Sequence, residues 1–412
     1  MHVKRCIRKT IVGLVMGPVT ACSAFAEDVD DLSELFQKGD ASLDFRYRLE
    51  LVEDDAFTRD ATASTLLTRL SYGTASYRGF SAFIEAENIT PVGGQSYNST
   101  TNGKTHFPVV ADPETTELNQ AYLAYRSAVV ALKFGRQGIN HGNQRFIGTV
   151  GFRQNDQTYD AVSASLTPLP SLKADYSFVW QVNRIFGHEH PLGTLDSKLH
   201  FVTADYSGLS VGKLSAYAYL FDFNDISTLG LSSATYGVRF AGEQKFADKM
   251  TVGYEAEYAR QKDHGDNPLD YSADYWRLGA SFGRGAIKLD AALEELGSDG
   301  GISFKTPLAT LHKFNGWADK FLTTPAAGLR DLEVGATFKV PGEGALAGLT
   351  FRVAYHDFRA ASGSSHYGSE WDFLISKKIS KSVSLSAKAA FYEAKSFARD
   401  TKRMWLTASL SF

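Results

Sequence analysis

Near the end of the chain, Met404, Leu406, Ala408, Leu410 and Phe412 alternate with Arg403, Thr407, Ser409 and Ser411, and Trp405 is the one large apolar residue on the polar side. Successive side chains of a strand point to opposite faces, so a period of two predicts one face for lipid, one for water, and a closing aromatic. Leu43, Phe45, Tyr47, Leu49 and Leu51 against Asp44, Arg46, Arg48 and Glu50 repeat the pattern, and Leu172 to Asn183 and Val252 to Tyr258 repeat it again. A half-buried strand of a soluble sandwich shows the same period, so one segment alone leaves both readings open.

The rest of the chain decides between them. About eighteen such segments lie between Leu43 and Phe412, an even number with about ten residues each, as a tilted strand across a bilayer needs. Their connections alternate in length. Gly73 to Gly79, Arg126 to Val129, Thr167 to Ser171, Phe282 to Ala286 and Lys377 to Ser382 are short. Asn88 to Thr116, Ile139 to Asp156, Asn183 to Asp196, Gln261 to Tyr271, Gly297 to Gly328 and His356 to Gly368 are long. The predicted fold is all-β: a transmembrane antiparallel barrel of about 18 strands with short periplasmic turns and long extracellular loops, with Tyr72, Phe80, Tyr125, Trp276 and Phe412 in its aromatic girdles.

Lys4, Arg5, Arg8 and Lys9 precede an apolar run from Thr10 to Cys22, and Ala24-Phe25-Ala26 supplies a small-x-small cleavage pattern. Residues 1–26 therefore read as a signal peptide and 27–412 as the barrel. The run is too short for a membrane helix and is broken by Gly13, Gly17 and Pro18. Val19-Thr20-Ala21-Cys22 loosely resembles a lipoprotein acylation box, but the Ala24-Phe25-Ala26 site fits better. Both cysteines, Cys6 and Cys22, fall in this leader, which excludes disulfides and thiolate metal sites from the mature chain. Without the four leader cations, 39 basic residues face 46 acidic ones, a formal charge of −7 that argues against nucleic-acid binding. The outer-membrane bilayer is the expected partner, and a periplasmic partner is left open.

Parity places Arg46, Arg48, Arg69, Arg126, Arg239, Arg277 and Arg352 on the inner face, together with Lys133, Lys173, Lys288 and the carboxylates Glu85, Asp175, Glu255, Asp290 and Glu333. A lumen this charged holds water, and a barrel this wide cannot be filled by strand side chains alone, which predicts a channel for a polar, anionic solute. Most single luminal arginines are expected in structural ion pairs with neighbouring carboxylates, and a few touch solute. His312, Lys313, Trp317 and Lys320 in the segment Gly297 to Gly328 combine rings with cations able to engage sugars and carboxylates, which predicts a gating loop folded into or over the pore.

Other chemistry is weaker. His188-Glu189-His190 lacks a third metal ligand nearby, and Asp222, Asn224 and Asp225 offer a calcium site no complete oxygen set. His200 has inward parity, but no nucleophile pairs with it, so no catalytic residue, metal or cofactor is expected and the chain is not read as an enzyme.

Phe134-Gly135-Arg136-Gln137-Gly138-Ile139, leading through Arg145-Phe146-Ile147-Gly148 and Phe152-Arg153-Gln154-Asn155 to Thr158-Tyr159-Asp160, resembles the alginate export porin family. Tyr47-Arg48-Leu49-Glu50, Thr306-Pro307-Leu308 and Asn315-Gly316-Trp317-Ala318-Asp319-Lys320-Phe321 fit it too. The resemblance implies an 18-stranded outer-membrane barrel passing an anionic polyuronate through an arginine-rich, partly acid-balanced pore. It adds Arg136, Arg145 and Arg153 to the pore-lining set. The carboxylate excess of this lumen favours a smaller or less charged solute than alginate, such as a uronate. A general diffusion or nutrient-uptake porin is the alternative, with a barrel enzyme behind it.

Overall fold

A strand in hydrocarbon must pair every backbone N–H and C=O, so an open sheet edge is forbidden and the sheet closes on itself. The computed structural model describes residues 28–412, and the predicted leader lies outside the described residues. Eighteen strands form one cylinder. They are β1 Asp40–Asp54, β2 Ala61–Gly73, β3 Phe80–Pro91, β4 Thr115–Arg126, β5 Val130–Gln137 and β6 Thr158–Leu169. Next come β7 Leu172–Asn183, β8 Thr194–Leu209, β9 Gly212–Phe221, β10 Ser233–Lys245, β11 Met250–Asp263 and β12 Ser272–Arg284. The last are β13 Ile287–Leu296, β14 Leu329–Lys339, β15 Thr350–Arg359, β16 His366–Lys378, β17 Val383–Ala394 and β18 Thr401–Ser411.

Each strand pairs antiparallel with its sequence neighbour, and the register Asp44↔Ser411 through Asp54↔Thr401 joins β1 to β18. The long connections fall at one end and the tight turns at the other. The exceptions are 340–349, a longer periplasmic turn, and the short loops 55–60, 360–365 and 395–400 at the opposite end, the second of which is shorter than the predicted His356 to Gly368. At the periplasmic end Asp28–Val29 lies parallel to Ser76–Tyr77, and the short helix Glu34–Gln37 receives a hydrogen bond from Tyr72 Oη to the Phe36 carbonyl.

The outer face follows from the alternation. Leu70, Ile84, Leu123, Phe134, Leu278 and Leu406 are exposed there, and such surface is stable only against lipid. Phe80 and Tyr125 meet at 4.8 Å and Tyr355 and Trp371 at 4.9 Å, pairs whose rings suit the water interface.

The inner face is less uniform than the expected ionic wall. In the extracellular half of β6 to β14, Tyr159, Val179, Leu199, Phe201, Tyr275, Leu296 and Leu329 are buried against two inward loops, 138–157 and 297–328. The loops supply Phe146, Ile147, Phe304 and Leu308. They are joined backbone to backbone: Ile147 bridges Leu308, Gly148 N–H donates to the Leu308 carbonyl at 2.9 Å, and Thr310 N–H to that of Gln144 at 3.1 Å. Eighteen strands leave a cylinder too wide for their own side chains to fill, and here loops fill half of it.

Leu406→Arg, at the middle of β18 on the lipid face, is expected to cost about 2–4 kcal/mol, whereas inward-facing Ser386→Lys on β17 costs under about 1 kcal/mol. Denaturant unfolding of the barrel in lipid vesicles measures both, and equal costs would contradict the assigned facing.

Candidate functional site

The inward loops are held by charge. Arg153 sits in a closed square of four alternating charges: its guanidinium lies 3.0 Å from Glu50 and 2.9 Å from Asp319, and Arg403 lies 3.1 Å from Glu50 and 3.5 Å from Asp319. Burial opposes the Arg153 charge, but Glu50, Asp112 and Asp319 more than offset it and hold the guanidinium above its ordinary range. Arg145 reaches Glu294 on β13 at 3.0 Å and Asn315 of the other loop at 3.0 Å. Asn315 in turn donates to Glu294 and Asp331. Lys320 pairs with Asp54 at 2.7 Å. A buried ion takes several partners because its desolvation must be offset by more than one contact.

Glycine makes one of these anchors possible. Gly316 has φ +81°, and a Cβ there would lie 2.5 Å from a Glu370 oxygen. The turn instead lets Trp317 and Ala318 offer backbone N–H groups to Asp372 and Glu370, at 3.3 and 2.7 Å. The positive φ values of Asn315 and Asp319 belong to the same tight path.

His312 lies at the centre of the plug. Its ring stacks on Phe152 at 3.4 Å and 13°, and Trp405 meets it edge-on at 5.5 Å. Lys388 Nζ is 2.7 Å from Nε2, and Asp319 Oδ1 is 2.8 Å from Nδ1. An ammonium can only donate, so Nε2 accepts and Nδ1 carries the proton to Asp319. Burial, then the adjacent Lys388 charge, pushes the His312 pKa down to about 3.

Below the loops the wall is wet. Arg239, Glu255, Arg277, Glu333, Arg352 and Asp290 form a row across β10 to β15, each with 15–21% of its side chain exposed. The row lies flat because Gly279 and Gly335 face inward beneath it. A Cβ on Gly279 would lie 2.9 Å from Glu255 Cγ, and one on Gly335 2.7 Å from Arg352 Nη2. Lys173 and Asp175 pair at 2.7 Å on the same wetted side. Among the described residues, Lys133, Lys288 and Lys313 belong to the lysines that face the lumen with no carboxylate in ion-pair reach. Lys288 is exposed, Lys133 lies 4.2 Å over the Tyr122 ring, and Lys313 donates to the Asn143 carbonyl at 2.9 Å. Burial and then nearby Arg239 hold the Lys313 ammonium below the usual lysine range.

The sequence-predicted residues thus divide. Arg239, Arg277, Arg352 and Asp175 line water, and Arg126 lies on the inner face at the periplasmic end of β4. Arg46 and Arg48 face inward but lie beneath loop 138–157, donating to the carbonyls of Gly151, Phe152 and Arg153, and Arg69 is clamped by Glu87 and Asp156. Glu85 is buried and accepts from Asn119 and Gln120. Arg145 and Arg153 are buried struts rather than pore lining. Arg136 is on the wrong face altogether. It shares parity with exposed Leu132 and Phe134 and pairs with Asp160 at 2.7 Å, where the β6–β7 register shifts. His200 also points outward, bonded to Tyr176 at 2.9 Å, because Leu199 and Phe201 take the inner positions. His312, Lys313, Trp317 and Lys320 all sit on the inward loop, with the Lys388 ammonium 3.9 Å from the Trp317 ring centre. Lys388, Arg403 and His356 were not among the predicted site residues, although parity on β17, β18 and β15 could have found them. The Asn315-Gly316 pair, a turn dipeptide, could have marked the anchor, though not its partners.

Arg145→Ala is expected to cost about 3–5 kcal/mol by leaving Glu294 buried without its cation. Freed loops appear as protease cleavage within 138–157 and as larger single-channel conductance; an intact loop and unchanged conductance would refute the strut. Acid is expected to act the same way through His312. A released His312 titrates near its ordinary 6.5 and the plugged one at about 3, so the released form binds more protons as pH falls between those values. The plug is therefore intact at neutral pH and loses about 1.4 kcal/mol per pH unit below 6.5. Conductance recorded from pH 7 to 4 should rise, and His312→Phe should flatten the profile.

Comparison with known proteins agrees with this architecture. The family model described as alginate export matches residues 38–308. No curated protein sequence matches the chain. Among solved structures, OccAB2 of Acinetobacter baumannii superposes with a TM-score of 0.74 at 14% identity, covering 92% of this chain and 99% of that one. The outer-membrane protein OpdK from Pseudomonas aeruginosa gives 0.69 at 15%, covering 90% and 98%. OpdK solved with vanillate gives 0.69 at 14%, with the same coverage. At such identity these neighbours speak for the barrel alone. The chain is a porin-type channel of the bacterial outer membrane and belongs to the alginate export family.

Proposed function

We propose that the channel passes a small, polar, singly anionic solute of the uronate class rather than an alginate-like polymer, and that it transports without catalysis. The observation that carries this is the division of labour among luminal cations. The arginines are all engaged, most as struts, whereas Lys133, Lys288 and Lys313 face the bore with no carboxylate within reach. A lysine is a compact, mobile charge, suited to guiding an anion that must also leave. The two loops fill the extracellular half of the cylinder, which favours a monomer or short oligomer over a polymer. OpdK, with a similar barrel, was solved with vanillate, a small ring carboxylate, and that size class fits this reading.

Planar-bilayer recording of the refolded chain tests it. Glucuronate should interrupt the open-channel current more strongly than glucose, and Lys313→Met should weaken that block about fivefold, the scale of one accessible ion pair. Equal block by glucose would favour a general uptake porin, and no block by any uronate would overturn the assignment.

A further inference from the structure

The row of partly exposed charges below the loops does more than line a wall. Arg239 Nη2 lies 2.6 Å from Glu255 Oε2, and the other oxygen of Glu255 lies 2.7 Å from Arg277 Nε. Arg277 Nη2 is 3.7 Å from Glu333 Oε2, and Glu333 Oε1 is 2.8 Å from Arg352 Nη2. Arg352 ends the row on Asp290, at 2.8 and 2.9 Å. Each bridging carboxylate therefore spends one oxygen on each of two arginines, and every arginine has two acidic neighbours, the second of Arg239 being Glu257 at 3.5 Å.

Such a row has a different field from a bare arginine ladder. Charges of one sign on a low-dielectric wall add, focusing counter-ions along the bore. Charges that alternate over contact distances cancel within a few ångströms, well inside the Debye length of about 8 Å in physiological salt. A chain carrying a carboxylate on every ring would need several guanidinium forks at once. Here those forks are occupied, and opening each one would leave a Glu255 or Glu333 carboxylate facing the incoming anion. A neutral or singly charged solute needs none of them.

We propose that Glu255 and Glu333 are the specificity-determining residues of the bore, closing its arginines to polyanions and setting one negative charge as the limit for a permeant solute. The inference rests on the reading of the barrel as a small-solute channel, but it concerns the wall's charge and is measurable without knowing the solute.

The experiment is the reversal potential of the refolded full chain in planar bilayers under a tenfold KCl gradient. The wild-type chain should reverse near zero, with chloride and potassium permeabilities within about threefold of each other, because an alternating row focuses neither ion. Glu255→Gln with Glu333→Gln frees Arg277 and half of Arg352, leaves Arg239 only Glu257 at 3.5 Å, and should raise chloride preference about tenfold. The mirrored pair Arg277→Met with Arg352→Met should move it toward potassium. In the first variant a tetrameric uronate should also block the current, which it should not do in the wild type.

Strong chloride selectivity in the wild-type chain, a result that needs no variant, overturns the proposal. So does an unmoved potential in a Glu255/Glu333 variant whose heat-modifiable gel mobility shows a closed barrel. Absence of block by monomeric glucuronate in the wild type alongside the predicted shifts would remove the solute assignment and leave this inference standing.

Discussion

Hydrocarbon offers no partner for a peptide group, and this single constraint organises the molecule. It forces eighteen strands to bond only with each other, and it ties the first strand to the last through the Asp44↔Ser411 register. Closure then creates a second problem. A cylinder of this circumference has an interior its own side chains cannot occupy, and whatever fills it must be held against water on one side and a polar wall on the other.

The chain solves the second problem with two loops that behave as one body. Phe146, Ile147, Phe304 and Leu308 give them an apolar underside matched to the inner face of β6 to β14. Arg145, Arg153, Lys320 and the N–H groups of Trp317 and Ala318 fix them to carboxylates on the wall. Burying that many ions is costly, and it yields position more than stability. What is left below the loops, between the row of paired arginines and the lysines, is the part of the lumen that a solute meets.

The barrel was legible because its signal is a period of two repeated many times, and because the alternation of long and short connections adds an independent reading. Parity also placed Arg239, Arg277 and Arg352 correctly, since a strand leaves a side chain only two directions. It failed where the backbone slips or leaves the sheet. At His200 the β8 register shifts between Asp196 and Leu199, and Leu199 and Phe201 take the inner positions, whereas Arg136 was brought in by the resemblance and the parity that turns Lys133 inward turns it outward. Arg145 and Arg153 lie in a loop, where no period exists, and their partners come from strands more than a hundred residues away. No spacing rule can join Arg153 to Glu50 before the tertiary fold is known.

The square of Arg153, Glu50, Arg403 and Asp319 has a consequence for how the molecule comes together. Glu50 belongs to the first strand and Arg403 to the last, so the four charges straddle the seam of the cylinder. An unsealed wall would separate two of its corners, and the loops would have nowhere to fasten. The plug is thus a keystone: it can be set only after the ring is complete, and once set it locks the joint at which the wall would otherwise unzip.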